Sequence, residues 1–107
     1  MNAIEVYARI KSHLINISRE FNNSLERNEK EIQKLYFSNK YQEDLIEEFI
    51  TKVHDTRKDL LNNTNKLVEE IDEQIQLLKD NEVRNEDCYT HIYDVARRVN
   101  NFSSVIY

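Results

Sequence analysis

The sequence predicts an all-α protein: an antiparallel three-helix bundle, or a long helical hairpin with a shorter third helix. Three observations carry this. The chain of 107 residues has no glycine and no proline, the residues on which the tight turns of a strand-rich fold of this size lean. Its apolar residues recur at the helical period, and nothing alternates with period two. Finally, 39% hydrophobic against 33% charged residues suits a bundle with a thin core or a coiled coil. The length predicts a single domain over 1–107.

The first helix is expected over about 2–37. Ile10, Leu14, Ile17, Phe21, Leu25, Ile32 and Leu35 form a stripe roughly 100° wide. Near the N-terminus the stripe broadens to take in Ile4, Ala8 and Ile15. Asn22-Asn23-Ser24 is a soft spot, and Asn23 with Glu26 could restart a helix as a capping box. The stripe stays in phase across it, so one helix is expected. The first turn is placed at Phe37-Ser38-Asn39-Lys40, with Ser38 or Asn39 available as a cap.

The second helix, over about 41–80, is the spine of the reading. At 100° per residue Leu45, Phe49, Val53, Leu60, Leu67, Ile71, Ile75 and Leu78 share one face, widened by Ile46, Ile50, Leu61 and Val68. The arc is roughly 160°, well beyond the ~100° of an ordinary surface helix, so more than one neighbour must cover it. Asn81 can end the helix in the left-handed conformation in place of glycine. Asn85 can then cap a third helix over about 86–106, with Glu86 and Asp87 well placed against its dipole. That helix carries a narrow stripe of Cys88, Ile92, Val95, Val99, Phe102 and Ile106. No internal repeat, linker or low-complexity tract is read.

Short turns make successive helices antiparallel neighbours. The third helix is therefore expected beside the Leu60–Leu78 half of the second and the N-terminal half of the first. At the opposite end two helices must bury a stripe that needs three. Tyr36, Phe37, Tyr41, Leu45, Ile46, Phe49, Ile50 and Val53 are the expected partner-binding residues there, since an exposed apolar patch of this kind marks an interface. The competing readings are a third helix that sits further along and a bend of the first helix at Asn22-Asn23 that folds it over the patch.

No residue pattern points to catalysis, and no catalytic, cofactor-binding or metal-binding residues are assigned. Without glycine there is no phosphate loop, dinucleotide fingerprint or nucleophile elbow. His13 and His54 lack the Glu three residues before them that di-iron bundles use. Cys88, His91 and Asp94 are spaced by three, but zinc needs four ligands; Cys88 reads as core and His91 as surface. Arg97 and Arg98 read as salt-bridge partners, and the tyrosines as half-buried helix edges. A formal net charge of −5 disfavours nucleic acid as a partner. Cys88 is the single cysteine, so no intrachain disulfide forms and a reducing, cytoplasmic location is expected. No apolar run is long enough to cross a membrane, and no signal peptide is read.

The functional expectation is a small non-enzymatic helical protein–protein interaction module: an assembly subunit, adaptor or secretion partner that binds a partner helix or itself. An acidic helical inhibitor or antitoxin-like protein that occludes an enzyme is the alternative. Length and helicity are similar to those of the small proteins exported by type VII secretion systems. Their Trp-x-Gly turn is absent here, and no family is assigned.

Overall fold

The computed structural model describes residues 2–38 and 43–106, with side chains over 2–34 and 44–102. The described residues form three α-helices and no strand: α1 (Ala3–Ser38), α2 (Glu43–Lys79) and α3 (Tyr89–Ile106), with a 3₁₀ turn at Asn85–Cys88 before α3. The all-α expectation stands. So does the expectation that α1 passes through Asn22-Asn23-Ser24 as one helix. The first turn, placed at residues 37–40, lies largely outside the described residues.

The ends of the helices follow from local chemistry. Asn2 Oδ1 accepts from the Glu5 N–H at 3.3 Å, an N-cap of the ordinary kind. At the other end of α2, Asn81 takes φ 58°. Its N–H reaches the Leu78 carbonyl at 3.2 Å, and the Glu82 N–H reaches the Leu77 carbonyl at 2.9 Å. This is the paired bonding of a Schellman stop, with asparagine in the position usually held by glycine. Asn85 departs from expectation. Its side chain does not cap the helix that follows it; Asn85 Oδ1 accepts from the Ala3 N–H at 3.0 Å, 82 residues away. A donor that α1 would leave unpaired is thereby satisfied by the loop that leads into α3. The 3₁₀ turn is held instead by Asp87, whose carboxylate accepts from the Arg84 N–H at 3.1 Å.

The chain divides into two compact units, Met1–Ile17 with Thr64–Tyr107, and Ser18–Asn63. Both α1 and α2 contribute to each. In the first, a three-helix unit, the core is built from Ala3, Tyr7, Leu14 and Ile17 of α1, Ile71 and Leu78 of α2, and Cys88, Val95 and Val99 at and within α3. Ile4, Ile10, Leu67, Ile75 and Phe102 pack around it. The turn contributes Val83 to the same core, so the segment after α2 is tied down by burial as well as by Asn85. Lys11 meets Asp72 at 2.7 Å on the surface between α1 and α2. The third helix thus lies along the end of α1 and α2 where the sequence places it.

The second unit is a two-helix hairpin. Leu25, Ile46 and Leu60 are its buried apolar residues among those described. Arg57 bridges its helices, donating from Nε to Asn22 Oδ1 at 3.0 Å and from Nη1 to Glu29 Oε2 at 2.9 Å. Asn22, read as a soft spot, is therefore an inter-helix acceptor, which gives a poor helix former a reason to sit mid-helix.

Leu14 is fully buried in the three-helix core. Leu14→Ala is expected to lower unfolding free energy by about 2–5 kcal/mol. Urea denaturation followed by circular dichroism measures this, and a loss under about 1 kcal/mol would contradict the packing described.

Candidate functional site

Two features of the structure exceed what a helical bundle needs for burial alone, one in each unit.

The first is a polar chain inside the three-helix unit. Tyr7 on α1 is fully buried, and its hydroxyl lies 2.6 Å from His91 Nδ1. The other ring nitrogen, Nε2, lies 2.8 Å from Glu70 Oε1 on α2. Glu70 also receives both terminal nitrogens of Arg98, at 2.9 and 2.7 Å, in a bidentate fork. Arg98 in turn reaches Asp94 at 2.9 Å, one turn back on α3. Arg97 pairs with the same carboxylate at 2.9 Å.

Chemistry sets the direction of each bond. An ionised carboxylate only accepts, so Nε2–H donates to Glu70. In the neutral ring Nδ1 then accepts, and the Tyr7 O–H donates to it. Burial, followed by the neighbouring Cys88, raises the Tyr7 phenol above its ordinary value and keeps it a donor. The Arg98 hydrogen bond, followed by that of His91, lowers Glu70 from 4.5 to about 2. The same bond, seen from the other side, raises Arg98. Asp94 is lowered by its bond to Arg97 and the charge of Arg98.

This assembly gathers one residue from α1, one from α2 and four from α3. Its reactive groups face one another: the Tyr7 hydroxyl is spent on His91, and the Cys88 thiol is buried beside it. The geometry is that of a latch holding α3 against α1 and α2. His91 is accordingly not the surface residue expected from sequence; it is part-buried with both ring nitrogens engaged. The salt-bridge expectation for Arg97 and Arg98 is met. Among the described residues no group of three or more His, Cys, Asp and Glu is arranged to hold a metal ion. His13 and His54 are exposed.

The second feature is the apolar edge of the hairpin unit. Leu45 is 50% exposed and Phe49, one turn on, 49% exposed. The other partner-binding candidates are placed as follows. Ile50 and Val53 are half-buried. Ile46 is 5% exposed and faces the hairpin interior, so it backs the edge and does not belong to the exposed surface. Tyr36, Phe37 and Tyr41 lie outside the residues whose side chains are described. Leu61, Tyr89 and Tyr93 are further exposed apolar side chains; the tyrosines carry a polar tip that suits water.

No helix among the described residues is long and apolar enough to cross a membrane. No family model matches this chain, and neither does any curated protein or solved structure.

The latch has a signed acid dependence. A carboxylate held below its ordinary value contributes stability above that value and loses it as pH falls through the folded one. Glu70's contribution is therefore complete above about pH 5 and fades between 4.5 and about 2. Glu70→Gln is expected to be less stable than wild type at pH 7, with the gap narrowing steadily below pH 4.5. Thermal melts of both proteins at pH 7, 4.5, 3 and 2 check this; a gap that stays constant down to pH 2 contradicts it.

Proposed function

We propose that this chain is a small non-enzymatic helical protein–protein interaction module that works through the Leu45–Phe49 edge of α2. The observation that carries the reading is the pair itself. Two large apolar side chains stand half-exposed at i and i+4 on a unit that has two helices among the described residues. Leaving them in water forfeits roughly 25 cal/mol for each Å² of apolar surface that a partner would cover. Apolar anchors four residues apart are the arrangement by which a helix surface engages another helix.

The occupant is a protein: a partner helix or a second copy of the chain. Ile46 next to the edge is buried in the hairpin, as is Leu60 further along α2, so the edge stands on a packed unit. The polar chain in the other unit has a separate task, the holding of α3. A cytoplasmic site of action accords with a lone cysteine kept as a buried thiol, since free thiols persist in reducing compartments.

The test is photo-crosslinking in the cells that make the protein. A benzophenone-bearing phenylalanine analogue replaces Phe49 in one sample and Lys58, an exposed residue of the same helix, in another. One defined adduct is expected from position 49, identified by mass spectrometry as one protein species, and none from position 58. Equal labelling at the two positions, or no adduct at 49, would overturn the proposal.

A further inference from the structure

We infer that the partner of the Leu45–Phe49 edge is a basic amphipathic helix built like this chain's own α3, an inference that rests on the interaction role proposed above. Its starting point is a short echo within α2. Leu45-Ile46-Glu47-Glu48-Phe49 recurs 22 residues later as Leu67-Val68-Glu69-Glu70-Ile71, with Val53 and Ile75 standing four residues beyond each. The echo is too short to register as an internal repeat, yet type is conserved at all six positions compared: leucine, β-branched aliphatic, two glutamates, large apolar, β-branched aliphatic.

The second occurrence is covered by α3, and the structure shows how. Ile71 is fully buried and Leu67 half-buried in the core that Val95 and Val99 complete. Glu70, the second glutamate, takes Arg98 in a bidentate fork and His91 on one of the same oxygens. What α3 presents is therefore a face of His91, Val95, Arg98 and Val99: small aliphatics with donor groups at the edge, where Asp94 holds Arg98 from its own helix at 2.9 Å and leaves the rest of the guanidinium to Glu70.

The first occurrence carries the same chemistry with its large apolar residue half in water. Ile46 is buried, as the aliphatic position beside it requires, but Phe49 is half-exposed where Ile71 is fully buried. Glu48, the counterpart of Glu70, has an exposed side chain and pairs at 3.3 Å with Lys52 of its own helix. An exposed i,i+4 pair of this kind is weak and yields to a bidentate arginine. Asp55 and Asp59 are exposed and follow Glu48 at seven and eleven residues, one edge of the helix at its 3.6-residue period. Lys52 is the one cation among them. Apolar anchors with an acidic margin call for aliphatic side chains with a basic margin, which is what α3 supplies to the twin motif.

The probe is a synthetic, fluorescently labelled peptide with the sequence of α3 itself, Tyr89–Ile106, in which Arg97 and Arg98 outnumber the one carboxylate, Asp94; it is titrated with the intact full-length chain and read by anisotropy. The chain's own α3 occupies the Glu70 motif at the high effective concentration of a tethered segment, which directs added peptide to the vacant one. Saturable binding is expected, weakened about tenfold or more by Glu48→Lys and by Phe49→Glu. Both residues are exposed, and circular dichroism of the variants verifies their folding. A peptide carrying Arg98→Glu should bind wild type poorly and regain affinity for the Glu48→Lys chain.

Three results overturn the inference. One is no saturable binding up to about 1 mM of the chain. Another is binding that Glu48→Lys and Phe49→Glu leave unchanged. The third is equal affinity of the parent and Arg98→Glu peptides for wild type. If any of these occurs while position 49 still crosslinks in cells, the surface stands and the basic, α3-like partner falls. If light scattering instead shows mass rising with concentration, and Glu48→Lys abolishes the rise, the occupant is a second copy of this chain and the assignment to a separate basic partner is overturned.

Discussion

The Glu70 carboxylate is the constraint on which the three-helix unit depends. It sits on α2, and α3 approaches it with Arg98 and His91. His91 passes the connection on to Tyr7 in the core of α1. Apolar packing alone does not choose among the rotations of a helix with a narrow stripe. A bidentate fork and a ring with both nitrogens engaged do choose, because each has one satisfactory geometry. Such a network adds modest net stability, since the desolvation of its groups offsets much of the attraction. Its effect lies in register: α3 has one way to sit. The buried Arg98 Nε, with no partner among the described residues, shows that the fork is satisfied at the guanidinium's far end at the expense of its near one.

A second tie sets where α3 begins. The Schellman stop at Asn81, the burial of Val83 and the bond from the Ala3 N–H to Asn85 fix the connecting segment to both helices it adjoins. In a chain without glycine the left-handed residue has to be paid for sterically, and asparagine is among the side chains for which that cost is least. The loop thus does part of the work that a larger core would do. The hairpin unit is held differently, by a few aliphatics and by Arg57 reaching across to Asn22 and Glu29. Its helices cover the centre of the apolar arc and leave its edge in water.

Much of this was legible in the sequence, and the reasons differ by element. Helix number and approximate bounds follow from periodicity and from the missing glycine and proline, which are properties of local sequence. The width of the α2 stripe exceeds what one neighbour can cover, and this told where a third helix packs. The latch was not legible. His91 and Arg98 are seven residues apart and share an edge of α3, a detectable signal. Their acceptors, however, lie on other helices, and nothing local distinguishes Glu70 from the other glutamates of α2. Asn85 was misread for the same reason: a capping asparagine looks alike whether it serves the helix after it or one 82 residues away.

The two Leu-x-Glu-Glu motifs of α2 connect these observations. A glutamate in the sequence Leu-Val-Glu-Glu-Ile is a surface residue by composition, and becomes a helix-docking group once α3 brings a guanidinium to it. Glu48 has the same neighbours and a different partner, an exposed lysine on its own helix. What separates the two glutamates is therefore the presence of a docked helix and not the chemistry of their motif. Phe49 and Ile71 differ in the same way: one half in water, the other fully covered. α2 thus presents apolar anchors beside a carboxylate twice, and the difference in burial between Phe49 and Ile71 follows from what packs on each and not from the sequence around them.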